Sequence, residues 1–191
     1  EMQNKNKMNQ IISGETRVCG IIGDPIEHTV SPVMQNAAFR QTGVDYIYVP
    51  FNVRREELKA AIGGMRALNI RGLNVTIPHK VAVIPFLDEI DPLAEKIGAV
   101  NTIVNEGGIL KGYNTDATGF WQVLVAEKIR PGRKKVVILG AGGASRAISF
   151  ILADKGADLV ILNRHVDAAK EMAGRILEFF RKEVAVGELN R

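Results

Sequence analysis

The sequence predicts an α/β protein in two parts, each built on a mostly parallel sheet. Short apolar runs alternate with amphipathic helical stretches through the first two-thirds of the chain, and the alternation restarts after Arg130-Pro131-Gly132. With 191 residues, 46% of them hydrophobic, the chain can bury one large core or two small ones.

Each element has a local reason. Residues 17–22 are an apolar, β-branched run and read as a strand; 32–42 read as a helix with Ser31 as its N-cap. A strand over 45–51, a helix over 55–67 and a strand over 71–75 follow, the last closing an apolar run from Ile70 that Pro78 bounds. Helical stretches are expected over 79–87 and 92–97. Strands over 99–104 and 109–113 meet across Gly107-Gly108, a dipeptide suited to a tight hairpin. An amphipathic helix over 116–128 leads into the Pro-Gly hinge. Beyond it the order is strand 135–139, helix 144–155, strand 158–162, helix 167–181 and a third strand around 184–186. The expected organisation is a linker or disordered N-terminus over 1–16, a first domain over 17–116, a connecting helix over 117–130 and a second domain over 131–191.

Composition removes several classes of function. The one cysteine, Cys19, allows no intrachain disulfide and fits a reducing, cytoplasmic setting. No apolar run nears the ~20 residues of a membrane span, and residues 1–10 carry no signal-peptide core. The net charge of +4 is scattered, and its densest run, 130–135, is broken by Pro131 and Gly132. A nucleic-acid surface would gather such charge on one face. His28, His79 and His165 lack ligand-like spacing, so no metal is expected. A small anionic ligand is the expected partner, and a homodimer is left open.

Chemistry concentrates in two places. Asn74-Val75-Thr76-Ile77-Pro78-His79-Lys80 sets two neutral hydrogen-bonding side chains and an amine just past a buried strand, at the carboxyl edge where open α/β sheets bind ligands. Asn74 and Thr76 could equally cap the following helix. After the strand 136–139, Gly140-Ala141-Gly142-Gly143-Ala144-Ser145 opens a helix, with glycines that permit a tight turn and let backbone amides approach a pyrophosphate. This strand, turn, helix and strand is the Rossmann pattern for a dinucleotide. The next strand ends in Asn163-Arg164-His165, and a guanidinium where NAD enzymes carry an acid favours the extra phosphate of NADP.

The chain resembles the shikimate dehydrogenase family through Gly23-Asp24-Pro25-Ile26-Glu27-His28-Thr29-Val30-Ser31-Pro32, the 74–80 segment, Gly98-Ala99-Val100-Asn101-Thr102, Gly112-Tyr113-Asn114-Thr115-Asp116, the glycine string with Arg146, and Asn163-Arg164. These cover about 18–165 in the family's order. The resemblance implies a mostly parallel α/β substrate domain followed by a Rossmann NADP domain, and reversible reduction of 3-dehydroshikimate to shikimate by NADPH on the way to chorismate and aromatic amino acids. It makes Lys80 and Asp116 catalytic and places Thr29, Ser31, Thr76, Lys80, Asn101 and Asp116 around the substrate. Gly140, Ala141, Gly142, Gly143, Ala144, Ser145, Asn163, Arg164 and His165 would hold the cofactor. Departures from the family's usual residues are Thr29 for serine, Gln35 for histidine and His165 for threonine. A quinate/shikimate dehydrogenase and a non-catalytic metabolite-binding regulator of the same fold are the alternatives.

A six-strand nucleotide domain needs on the order of 150 residues, far more than 131–191 supplies. The sequence is therefore expected to be a C-terminally truncated piece of a longer enzyme, with an incomplete Rossmann domain.

Overall fold

The computed structural model describes residues 12–190; the leading part of the expected 1–16 linker lies outside the described residues. Two sheets carry the fold. The first contains β1 (Arg17–Gly23), β2 (Tyr46–Asn52), β3 (Gly72–Val75), β4 (Glu89–Ile90), β5 (Thr102–Glu106) and β6 (Ile109–Tyr113), in the order β2-β1-β3-β5-β6-β4. β1 is parallel to both β2 and β3, and β4 is parallel to β6, whereas β5 runs antiparallel to β3 and β6. The hairpin forces that reversal. Glu106 pairs with Ile109 across Gly107 and Gly108, whose φ values of +62° and +94° give a turn twisted like the strands it joins.

Helices α1 (Ser31–Thr42), α2 (Leu58–Ala67), α3 (Pro92–Ile97) and α4 (Asp116–Ala126) accompany this sheet. α2 turns Leu58, Ile62 and Met65 inward against Ile22, Leu73, Val75 and Ile103, and these residues form the main core. The second sheet is β7 (Lys135–Leu139), β8 (Asp158–Asn163) and β9 (Ala185–Glu188), all parallel in the order β7-β8-β9, with α5 (Gly143–Asp154) and α6 (Val166–Phe180) as the crossovers. Its core joins Ile138, Leu152, Leu159 and Ile161 to Met172 and Ile176.

Several local expectations are corrected. Residues 79–87 form turns and a short 3₁₀ stretch, Ile84–Phe86, in place of a helix. Pro85 supplies no N–H, and the Lys80 carbonyl accepts from Val100 N–H at 2.7 Å, so the segment spends its backbone groups on β5's approach. Residues 55–57 are 3₁₀, and α2 proper begins at Leu58. Ser31 is the first residue of α1 and Val30 is the N-cap; the Ser31 N–H donates instead to Thr29 Oγ1 at 3.3 Å. The two-residue strand β4 has too little sequence to show a period.

Candidate functional site

Topology collects the candidate residues on one sheet edge. β1 and β3 are parallel, so Thr29 and Ser31, after β1, fall on the same side as Thr76 and Lys80, after β3. β5 is antiparallel to β3 with Thr102 opposite Asn74, which sets Asn101 at that edge, and Thr102 also faces Tyr113, so β6 ends there and delivers Asp116.

The segment carrying Lys80 is pinned from within. His79 is fully buried and its Nε2 donates to the Val53 carbonyl at 2.6 Å; its N–H donates to the Thr76 carbonyl at 2.9 Å. Thr76 N–H in turn donates to the Ile22 carbonyl. Lys80 therefore projects from a fixed backbone. Its Nζ donates to Asp116 Oδ2 at 2.5 Å, with side chains 13% and 29% exposed, so the pair is shielded yet reachable. Asp116 is held from the other side by Asn101, whose Nδ2 donates to Asp116 Oδ1 at 2.7 Å and to Thr115 Oγ1 at 2.8 Å. Asn101 Oδ1 accepts from Thr115 N–H at 2.9 Å and from Thr102 Oγ1 at 3.0 Å.

Asn114 sets where α4 starts. Buried at 5% exposure, its Oδ1 accepts from Asp116 N–H at 3.0 Å while its Nδ2 donates to the Ala99 carbonyl at 2.9 Å. The side chain caps the helix and fastens its first turn to the loop before β5, and so gives Asp116 its position. Thr29, Ser31 and Thr76 share the edge and are partly buried, but their side chains make no direct bond to the lysine, aspartate and asparagine cluster. The residues the sequence reading missed are Tyr48, Thr102, Asn114 and Thr115. Polar residues inside runs that otherwise alternate apolar and buried were the available signal.

The glycine string meets this cluster. Gly140 has φ +100°, Gly142 has open space where a Cβ would stand, and α5 begins at Gly143. A Cβ at Gly143 would lie 2.6 Å from Lys80 Cβ and 3.0 Å from its Cδ, so the helix N-terminus rests against the lysine stem. Ala141 and Ser145 are partly buried and Ala144 is exposed. At the end of β8, Asn163 Nδ2 donates to the His165 carbonyl at 2.9 Å, and the exposed Arg164 guanidinium has no hydrogen-bond or ion-pair partner among the described residues. An open helix N-terminus with a free guanidinium a strand away suits an anionic dinucleotide.

Among the described residues no three His, Cys, Asp or Glu are grouped to hold a metal ion, and no helix is long and apolar enough to cross a membrane.

Residues 21–103 match the shikimate dehydrogenase substrate binding domain. A curated shikimate dehydrogenase (NADP(+)) of Dehalococcoides mccartyi is 52% identical over 157 residues, 82% of this chain and 55% of that protein. Thus the chain spans little more than half the length of that relative. The crystal structure of a shikimate dehydrogenase in complex with NADP+ superposes with a TM-score of 0.87 at 45% identity, over 96% of this chain and 65% of that one. A shikimate 5-dehydrogenase of Thermus thermophilus, solved with NADP(H) and shikimate, gives a TM-score of 0.77 at 32% identity over 92% of this chain and 69% of that one. With likeness of this depth running through both sheets, the chain belongs to the shikimate dehydrogenase family.

Proposed function

We propose that this chain carries the substrate-binding and reacting part of an NADP-dependent shikimate dehydrogenase together with the first half of its dinucleotide site. Residues 17–116 would form the substrate domain, 117–130 the connecting helix and 131–191 the start of the Rossmann domain. One observation carries the reading: the Lys80–Asp116 pair at 2.5 Å lies directly against Gly143, at the mouth of the glycine-rich turn. An amine, a carboxylate and a dinucleotide cradle at one point are the parts that a reversible ketone reduction requires.

When bound, NADPH supplies the hydride. As the carbonyl carbon of 3-dehydroshikimate accepts it, negative charge grows on oxygen; Lys80 stabilises that charge and delivers the proton, with Asp116 keeping its amine aimed. Asn101 and Asp116 would take ring hydroxyls. Thr29 and Ser31 are neutral hydroxyls beside the start of α1, where a substrate carboxylate can be held without burying another charge. Thr76 would close the same edge. The cofactor's phosphates would sit on Gly140, Ala141, Gly142, Gly143, Ala144 and Ser145, and its ribose phosphate beside Asn163, Arg164 and His165.

The test is absorbance of the reduced nicotinamide as the chain is given shikimate with NADP and then with NAD. Turnover favouring NADP is expected. Lys80→Ala should lower it by about 10²- to 10⁴-fold, the usual contribution of a positioned acid. Turnover in that variant equal to the parent would overturn the role of Lys80. Binding of shikimate without turnover by the parent would favour the metabolite-binding alternative.

A further inference from the structure

Behind Asp116 runs an unbroken line of side-chain hydrogen bonds that begins at a tyrosine. Tyr48, on β2, is 4% exposed, and its hydroxyl donates to Asn74 Oδ1 at 2.6 Å. Asn74 Nδ2 reaches Thr102 Oγ1 at 3.3 Å and the Asn101 carbonyl at 3.5 Å. Thr102 Oγ1 donates to Asn101 Oδ1, and Asn101 Nδ2 donates to the Asp116 oxygen that Lys80 does not occupy.

We propose that Tyr48 is a positioning residue, whose hydroxyl proton orients Asn74, Thr102 and Asn101 in turn and so fixes the Asp116 carboxylate against Lys80. This rests on the reading of Lys80 and Asp116 as the reacting pair.

Donors and acceptors must alternate along the line. An amide side chain can be placed either way round, and a hydroxyl can turn its single proton in several directions. The phenol settles the first choice. Because it gives its proton to Asn74 Oδ1, Asn74 Nδ2 is turned toward the Asn101 carbonyl, an acceptor that an amide oxygen would repel, and toward Thr102 Oγ1, which accepts from it. Thr102, accepting from Asn74, has its own proton free for Asn101 Oδ1. Asn101 is thereby left with Nδ2 toward the carboxylate, the only orientation in which it stabilises that charge. Burial, and after it the negative charge of Cys19 once that thiol is ionised, push the Tyr48 phenol up to about 12, so it remains a donor at any working pH. The cavity beneath Asn74 and Thr102, about 180 Å³ and lined also by Cys19, Gln35 and Phe39, leaves room for Asn74 to turn once the phenol proton is gone.

Thr115 N–H also holds Asn101 Oδ1, so loss of the line should be felt as several-fold, not as abolition. The test is hydrogen exchange of the Asn101 side-chain amide, followed by nitrogen-15 NMR in the 191-residue chain and in Tyr48→Phe, Thr102→Val and the double variant. Tyr48→Phe keeps the ring and hence the packing; its thermal melt checks the fold. Exchange about fivefold faster in Tyr48→Phe is expected, the scale of one net hydrogen bond. The double variant should exchange no faster than Thr102→Val alone, since both cuts sever one line. Unchanged Asn101 exchange in Tyr48→Phe, or effects that multiply in the double variant, would overturn the proposal. In turnover, kcat should fall by the same factor with KM for NADP unmoved. A parent chain with no turnover would sink the activity reading alone, and the exchange comparison would still decide the role of Tyr48.

Discussion

Lys80 touches three kinds of structure within one side chain: a pinned loop at its backbone, the start of α5 along its stem and Asp116 at its tip. This separates the roles of adjacent glycines. Gly143→Ala would put a methyl 2.6 Å from Lys80 Cβ, closer than such atoms approach, so either the lysine or the glycine turn must shift. A displacement of about an ångström at the reacting group can cost on the order of 100-fold in turnover, and that is the loss expected, with dinucleotide affinity much less affected. Gly142→Ala meets no protein atom within 4 Å, and its φ of −80° suits alanine, so its methyl would crowd only the cofactor. Steady-state kinetics and dinucleotide titration of both variants check the contrast; equal effects on both quantities would refute it. Arg164→Ala should weaken NADP by about tenfold or more while NAD changes little, because only the former carries the phosphate that the guanidinium would meet. Comparison of the two dissociation constants decides it.

Among elements, strands and crossover helices were legible wherever a period ran for several residues. β1, β7 and β8 announce themselves as apolar β-branched runs, and α6 shows its inward stripe through Ala169, Met172 and Ile176. Two kinds of structure were not legible. The 79–87 segment has helix-compatible residues, but its backbone groups are claimed by Thr76 and Val100, a tertiary demand no local pattern carries. Likewise Lys80 and the glycines could be picked out by type and spacing and Asp116 through the family resemblance, while Tyr48, Thr102 and Thr115 become site-supporting only once β2, β3, β5 and β6 are laid side by side. Another element-scale feature is the ion pair that joins α5 to α6. Arg146 is 6% exposed and donates to both carboxylate oxygens of Glu171 at 2.9 and 2.8 Å, which holds the Glu171 carboxyl below the ordinary range. A carboxylate with a lowered value stabilises the fold above its unfolded value, and that contribution is lost as the pH falls through the lower, folded value. Stability should thus decline below about pH 4.3, the unperturbed glutamate value. Glu171→Gln should cost about 1–2 kcal/mol near neutral pH, less than a fully buried pair because Glu171 is more than half open to solvent, and should flatten part of that acid slope. Urea unfolding at pH 7 and pH 4 measures both, and an undiminished acid slope in the variant would count against the pair.

For the molecule as a whole, the two sheets are not independent beads. A separate cluster of Ile97, Ala99, Ala117, Ala147 and Phe150 takes residues from α3, the loop before β5, α4 and α5, and the Phe150 ring meets Phe180 edge-on at 4.8 Å. Ala99, Ala117 and Ala147 are fully buried, so the elements approach as closely as methyl groups allow. Beside this seam Arg175, on α6, donates through Nε to the Lys96 carbonyl at 3.2 Å and through a terminal nitrogen to the Glu95 carbonyl, capping the end of α3 with a charge of the favourable sign. Such a seam holds Gly143 against Lys80, since Gly143 opens α5 and the Lys80 carbonyl accepts from Val100 N–H in the loop before β5, both parts that it clamps. It should also couple the two sheets in unfolding. Phe150→Ala removes the largest side chain of the cluster and should lower stability by about 3 kcal/mol, near the lower end for loss of a buried ring. The sharper expectation concerns cooperativity: with the seam hollowed, the three-stranded sheet should melt before the six-stranded one. Calorimetry should record one transition for the parent and two for the variant. A single transition merely shifted to lower temperature would mean that Arg175 and the α4–α5 contact suffice to keep the two sheets as one cooperative unit.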